Sequence, residues 1–232
     1  MRLFLAAEVP ESHKVVIERA MEPLRSGLPG VRWAMPETWH LTVKFLGEVP
    51  EERVGELARL TERAASRIPV TEAGLTRLGA FPSPRRARVL WVGLEDAGGV
   101  RGVAPPPEGA RGGTEPYTPE GGDGGPEARH RERGKGLFYA NPRSQGTLAV
   151  LTGLLERGLG EASFRREPKL WRPHVTVGRL RDPAPVGEAL ETVAPDALKA
   201  PPFRISEIVL FRSRLHPGGA VHDVLERFPF LG

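Results

Sequence analysis

Two short segments of the 232-residue chain share an arrangement of residues that could do chemistry. Residues 40–43 read HLTV and residues 174–177 read HVTV, so each segment has His, an apolar residue, Thr and Val in the same order. Random placement of the six His residues of the chain would rarely produce one such pattern. Two copies, each within a run of β-type residues, therefore indicate that the segments act together.

The two copies supply the groups that phosphoryl chemistry needs. Alternate residues of a strand point to the same side, so each His has a Thr hydroxyl beside it. Two imidazoles can share acid and base work near neutral pH. Thr hydroxyls are short, uncharged donors for the non-bridging oxygens of a phosphate. The candidate catalytic residues are His40, Thr42, His174 and Thr176, which would face one another across a cleft and need no metal.

Other kinds of site fit the sequence less well. Either His could be a structural residue, but this explanation is weak for a matched pair. A metal site would need a third ligand close to the two His residues, and none is evident. The chain has no phosphate-binding Gly loop and no Gly-x-Ser-x-Gly elbow. We interpret the remaining histidines as non-catalytic: His13, His130, His216 and His222.

The elements around the motifs predict an α+β protein. Strands are expected at about 2–9, 39–47, 70–81, 87–94, 171–179, 203–215 and 220–228, and helices at about 10–27, 51–67, 145–159 and 185–193. Residues 39–47 alternate in polarity, which predicts Phe45 on the apolar face and Lys44 on the face of His40. We expect a bilobal molecule with two antiparallel sheets flanked by helices, pseudo-two-fold symmetry and a central cleft.

One domain is expected over residues 1–232, interrupted by an insert at about 100–138. The segment from Arg101 to Gly136 has ten Gly and six Pro residues, and its six basic and six acidic residues cancel. Such a composition buries too little apolar surface to offset the entropy of ordering. We therefore expect a disordered or mobile insert, with a lid or substrate-touching role for Ala128 to Lys135 as the alternative.

Composition restricts the class of protein further. The chain has no Cys, which excludes disulfides and thiolate catalysis and suits a reducing cytoplasm. The first residues lack the pattern of a signal peptide, and no apolar run reaches membrane-spanning length. The net charge of +4 favours anionic partners, phosphates included. We expect a cytoplasmic protein, a monomer with no membrane partner.

The segments that carry the motifs resemble the two-histidine (2H) phosphoesterases, specifically the RNA 2′,3′-cyclic phosphodiesterases once called 2′-5′ RNA ligases. The similar segments are RLFLAAEVP, VRWAMPETWHLTVKFLGEVP, FRREPKLWRPHVTVGRLRDPAP and EIVLFRSRLHPGGAVHDVLERFP. This resemblance covers about 1–99 and 144–232. It implies a bilobal α+β fold and metal-independent opening of a 2′,3′-cyclic phosphate to a 2′-phosphate, without a cofactor. The partner would be an RNA or oligonucleotide with that cyclic end, and the reverse 2′-5′ joining reaction stays open.

The resemblance also assigns roles to residues. His40 would protonate the departing 3′ oxygen, His174 would deprotonate the attacking water, and Thr42 and Thr176 would hold the phosphate oxygens. Arg179 and Lys44 are candidate contacts to phosphate or RNA.

Two features depart from the family pattern. The insert lengthens the interval between the motifs, and His222 stands where the family often has an aromatic residue in its final strand. The alternatives are a 2H enzyme for a small cyclic nucleotide or 2′-5′ oligonucleotide, and a non-catalytic module that binds RNA ends.

Overall fold

The computed structural model describes residues 1–96, 146–167, 171–216 and 219–232. The expected insert at about 100–138 and its lid alternative lie outside these residues. The strands are β1 (Arg2–Glu8), β2 (Val31–Trp33), β3 (His40–Glu48), β4 (Thr71–Phe81), β5 (Ala87–Asp96), β6 (His174–Ala184), β7 (Phe203–Ile205), β8 (Glu207–His216) and β9 (Gly219–Pro229). The helices are α1 (Glu11–Gly27), α2 (Val54–Ala65), α3 (Thr147–Glu161) and α4 (Gly187–Glu191), with 3-10 turns at Pro36–Thr38, Glu51–Arg53 and Pro84–Arg86.

The described strands form one antiparallel sheet. Its order is β7-β4-β5-β6-β3-β1-β8-β9, with β2 also paired to β6. The predicted α+β class with antiparallel strands is confirmed. Two sheets were expected, one for each half, but they form a single sheet because the residue pair Leu41–Val175 joins β3 to β6. Outward from this junction, each half has its motif strand first and three further strands beyond it.

The single strand expected at about 203–215 is two strands in the structure. The first, β7, pairs with β4 in one half of the sheet, whereas β8 pairs with β1 in the other half. The chain therefore passes from one half to the other at Ser206, between the two strands. The β-type residues run without a break through 203–215, so the composition does not indicate that the partner strand changes.

The helices cover one face of the sheet. Buried residues of α1, α2 and α3, such as Ile17, Leu57 and Leu151, belong to one hydrophobic cluster together with Leu3 and Leu5 of β1. The opposite face has a small buried cluster made of strand residues: Phe4, Ala6, Val209 and Phe211. We call this the site face, because it carries both motif histidines.

The junction between the halves is buried and held by more than one contact. The side chains of Leu41 and Val175 are 1% and 0% exposed. Just before β6, the indole N–H of Trp171 donates a hydrogen bond of 2.8 Å to the carbonyl oxygen of Thr42. The backbone N–H of Ala34 likewise donates to the carbonyl oxygen of Val177 at 2.9 Å. These contacts fix the two motif strands relative to each other.

A β-bulge follows the motif Thr in β3. Leu5 of β1 lies opposite Lys44, whereas the next residue, Ala6, lies opposite Thr42, so that Val43 has no partner in the register. An unpaired residue of this kind inverts the alternation of side chains beyond it.

The second motif has the same bulge at the same position. Leu90 of β5 lies opposite Gly178, whereas Trp91 lies opposite Thr176, which leaves Val177 unpaired. In both strands, therefore, the fourth motif residue is the extra one. The residue four positions after each His turns toward the helices, and the residue five positions after it turns to the site face.

The bulge at Val43 makes the predicted face of Lys44 wrong. The Lys44 side chain is fully buried on the helix side of the sheet, where its ammonium group forms an ion pair with Glu156 of α3. Phe45, expected on the apolar face, lies on the site face instead and is 47% exposed. Strict alternation fails here because it counts the unpaired Val43 as an ordinary residue of the ladder.

We predict that the two partners of the Lys44–Glu156 ion pair contribute unequally to the stability of the protein. Glu156→Gln leaves a buried ammonium group without its counter-charge and should lower the free energy of unfolding by up to about 3–5 kcal/mol. Lys44→Met removes the buried charge at similar volume and should cost much less, as should the double variant. Urea unfolding of the three variants measures this order. Equal stability of Glu156→Gln and the wild type would contradict the prediction.

Candidate active site

The four motif side chains meet at the junction of the two halves. In the antiparallel register about Leu41–Val175, His40 comes next to Thr176 and Thr42 next to His174. All four are partly buried, whereas the residues between them are fully buried on the helix side. The sequence predicts that these side chains share one face, and in the structure they lie on the same face of the sheet.

Both histidine rings are held in the same way. The Nδ1 atom of His40 lies 2.7 Å from the carbonyl oxygen of Thr38, and Nδ1 of His174 lies 2.7 Å from that of Arg172. Because a carbonyl can only accept, Nδ1 is the protonated nitrogen in each neutral ring. The Nε2 atom of each ring therefore has the lone pair and is the nitrogen available to a substrate.

The environment of His40 opposes its positive charge. Burial, and then the nearby charge of His222, lower its pKa to about 4, with smaller contributions from His174 and Arg179. The hydrogen bond to the Thr38 carbonyl acts in the other direction because it stabilises the imidazolium. His40 is consequently neutral at physiological pH in the ligand-free protein.

The pKa of His174 is lowered as well. Burial is the largest cause and the charge of Arg179 adds to it, against the hydrogen bond to the Arg172 carbonyl. Two neutral imidazoles close together in one site can therefore accept protons, and either can donate one once a bound anion favours its charged form.

Arg179 reaches the site because of the second bulge. Without the unpaired Val177 it would turn toward the helices, but it lies on the site face, where its charge lowers the pKa of both motif histidines. Its guanidinium forms no ion pair within the described part of the chain. An exposed cation of this kind beside two histidines is suited to an anionic ligand.

The Thr hydroxyls are also available to a ligand. Within the described ranges, neither the Thr42 nor the Thr176 hydroxyl has a hydrogen-bond partner among the protein groups. Lys44 is the one sequence-predicted contact that the structure does not bring to the site. Its ammonium group is on the other face of the sheet.

Aromatic rings flank the two histidines differently. The Phe4 ring stacks on His40 with centroids 4.7 Å apart. On the other side, Phe81 meets His174 edge-on at 5.1 Å and Trp91 lies 6.4 Å from it. The surroundings of the two motifs thus differ although the motifs themselves match.

His222 is a site residue that the sequence did not reveal. It lies opposite Ser213 in the β8–β9 pairing, and its ring meets His40 edge-on with centroids 5.2 Å apart. Its Nδ1 atom is buried and has no hydrogen-bond partner within the described residues. Burial lowers its pKa, and Asp223 opposes this. The aromatic preference of the family at this position is the one signal that could have indicated its proximity to the site.

The other histidines have different surroundings. His13 of α1 lies with Nε2 2.8 Å from the carbonyl oxygen of Pro201, and His216 is exposed at the end of β8. His130 lies outside the described residues. Across the described ranges, no group of three or more His, Asp or Glu side chains could hold a metal ion. No helix in the same ranges is long and apolar enough to cross a membrane.

Family models match both halves of the chain. A model described as LigT like Phosphoesterase matches residues 8–91, which include the first motif. A model described as 2′-5′ RNA ligase superfamily matches residues 126–217, which include the second. Together the two matches include both motifs, so the chain is similar to the LigT like phosphoesterases in its first half and to the 2′-5′ RNA ligase superfamily in its second. The family predicted from the sequence is thereby confirmed.

Relatives of this family match the chain over its length. A protein of Methanothermobacter thermautotrophicus named RNA 2′,3′-cyclic phosphodiesterase is 24% identical over 229 residues, 98% of each chain. A protein of the same name from Thermus thermophilus is 28% identical, covering 100% of this chain and 91% of its own. A crystal structure of a Thermus thermophilus protein superposes with a TM-score of 0.64 at 24% identity, over 99% of this chain and 98% of that one, which supports the fold.

We predict that His40 makes stability depend on pH. Its folded pKa of about 4 lies below the ordinary value of 6.5, so unfolding takes up a proton between these values and stability falls as pH drops from 6.5 to 4. Replacement by a non-titrating residue, His40→Gln, removes this contribution of about 3 kcal/mol. Denaturant unfolding of both proteins at pH 7 and pH 4 should show the wild type losing more. A parallel loss in both proteins would contradict the prediction.

We predict that His222 helps to set the pKa of His40. The His222→Phe variant keeps a ring against His40 and removes a titratable group, so the pKa of His40 should rise. NMR titration of the His40 ring signals in both proteins measures this change. An unchanged pKa would mean that His222 only packs against His40.

Proposed function

We propose that the protein opens RNA 2′,3′-cyclic phosphate ends to 2′-phosphates by two-histidine acid and base catalysis without a metal. The observation that supports this most is the matched pair of imidazoles, each with Nδ1 bound to a backbone carbonyl and Nε2 left for a substrate. The names of the full-length relatives carry the same activity. Two neutral, oriented imidazoles beside two hydroxyls and a guanidinium suit in-line displacement at phosphorus.

The proposed reaction breaks one bond and forms one. Water attacks phosphorus and gives a proton to Nε2 of His174, while the bond from phosphorus to the 3′ oxygen breaks. That oxygen takes a proton from Nε2 of His40, which leaves a 3′ hydroxyl and a 2′-phosphate. The two rings return to their starting states by exchanging protons with solvent. Thr42 and Thr176 donate hydrogen bonds to the non-bridging oxygens.

The low pKa of His40 restricts when it can donate a proton. At about 4 in the ligand-free protein, the ring is neutral before the substrate binds. A bound phosphate brings a negative charge next to the imidazole, which stabilises the imidazolium and raises its pKa. Arg179 attracts the same anion from the His174 strand. The substrate thus supplies the charge that makes His40 a proton donor.

The decisive test uses an RNA with a 2′,3′-cyclic phosphate end. Wild type should produce a 2′-phosphate with EDTA present, and His40→Ala and His174→Ala should each lose about 10²–10⁴-fold in kcat/KM, the range typical of acid and base groups. His216→Ala, an exposed histidine at the end of β8, is the matched control and should retain full activity.

The same assay separates the alternatives. Faster turnover of adenosine 2′,3′-cyclic phosphate or of a 2′-5′ linkage than of the cyclic-ended RNA would favour the small-substrate enzyme. Binding of the RNA without turnover would favour a module that holds RNA ends. Loss of activity in EDTA that added metal restores would contradict the metal-independent mechanism.

A further inference from the structure

Two arginine side chains lie next to each other on the site face, close to the motif histidines. Arg32 of β2 and Arg179 of β6 are direct partners in the antiparallel register. The neighbours of Arg32 in its strand face the helices, because Val31 belongs to the large hydrophobic cluster and Trp33 packs against it. Arg32 is therefore turned to the site face, as Arg179 is. Both arginines are exposed.

This pair of arginines has no counter-charge among the residues that the structure describes. Neither guanidinium forms an ion pair there. The partner of Arg179 on its other side, Val89 of β5, is apolar. Desolvation, and then the charge of Arg2, lower the pKa of the Arg179 guanidinium, so a third arginine adds to the positive charge. Like charges directly opposite each other destabilise a sheet, so this pair costs stability unless an anion lies beside it.

One cyclic phosphate has too little charge for these cations. It is a diester with a single negative charge, which the proposed mechanism places between the motif histidines, where Arg179 attracts it. Because Val177 is unpaired, Arg179 is the next residue of β6 after Thr176 on the site face. The arginine pair thus lies roughly two strand positions, about 7 Å, from the motif side chains. This is close to the spacing of successive phosphates in one RNA strand.

Arg32 also lies on the side of the site where the nucleoside must be. Both ester oxygens of a cyclic phosphate belong to the ribose, so in the proposed mechanism the nucleoside lies on the side of the proton donor, His40. The strands of His40 and Arg32, β3 and β2, pair with the same edge of β6 one after the other, whereas β5 pairs with its other edge. The 5′ oxygen of that nucleoside carries the next phosphate of an RNA.

We infer that Arg32 binds this second phosphate, the 5′ phosphodiester of the terminal nucleotide, which rests on the proposed function. Its guanidinium donates hydrogen bonds to the non-bridging oxygens of the diester, while Arg179 meets the cyclic phosphate. The substrate class is then an RNA with a cyclic end rather than a free nucleoside 2′,3′-cyclic phosphate, because only the RNA brings the second negative charge. A phosphate contact carries no sequence information, so this site does not select a base.

The experiment compares two RNA dinucleotides with a 2′,3′-cyclic end that differ only in the linkage between their nucleotides. One has the natural phosphodiester, and the other has a methylphosphonate, which is uncharged. Wild type should prefer the charged linkage about 10-fold in kcat/KM, the lower end of the range for a hydrogen bond to a charged group, because Arg32 is exposed. Arg32→Ala and Arg32→Gln should lose this preference, and Arg32→Lys should keep part of it.

A matched control removes an arginine from the other side of the molecule. Arg59→Ala truncates an exposed side chain of α2, on the helix-covered face, and should keep the preference for the charged linkage. No preference in wild type, or an unchanged preference in Arg32→Ala, would overturn the inference. So would an equal loss on both dinucleotides, because Arg32 would then act on the cyclic phosphate itself. If wild type hydrolysed neither dinucleotide, nor a longer cyclic-ended RNA, the proposed function itself would fail.

Discussion

The pairing of Leu41 with Val175 is the contact on which the site depends. It joins β3 to β6, makes one sheet of the two halves, and buries both side chains on the helix side. Because neighbouring residues of a strand point to opposite sides, this buried pair forces the flanking His and Thr residues onto the other face. The same hydrophobic contact thus stabilises the junction and brings residues from distant parts of the chain to one place.

The matched bulges determine what else reaches that place. Each inserts an unpaired valine directly after a motif Thr, so Arg179 and Phe45 turn to the site face. The same inversion takes Lys44 into the core, where Glu156 neutralises its ammonium group. A bulge within the motif therefore places one residue on the site face and its neighbour in sequence among the buried residues on the helix side.

Burial sets the electrostatic character of the site. The backbone carbonyls of Thr38 and Arg172 orient the two imidazoles and partly support their charged forms, but desolvation outweighs this and keeps the rings neutral. Arg179 and His222 act in the same direction as burial on His40. A site in this state has its positive charge on arginine until an anion binds, and in the proposed mechanism that anion also raises the pKa of His40.

The sequence by itself determined the motifs, the α+β class and the sharing of one face by each His and Thr, because these follow from residue type and from the two-residue period of a strand. It also predicted the family from the segments around His40 and His174. Only the tertiary structure decided the positions of Lys44, Phe45 and His222. A bulge is visible only in the register between two strands, and the proximity of His222 to His40 arises from strands far apart in the chain. Sequence spacing does not encode such a pairing, since hydrophobic packing of the whole sheet selects it.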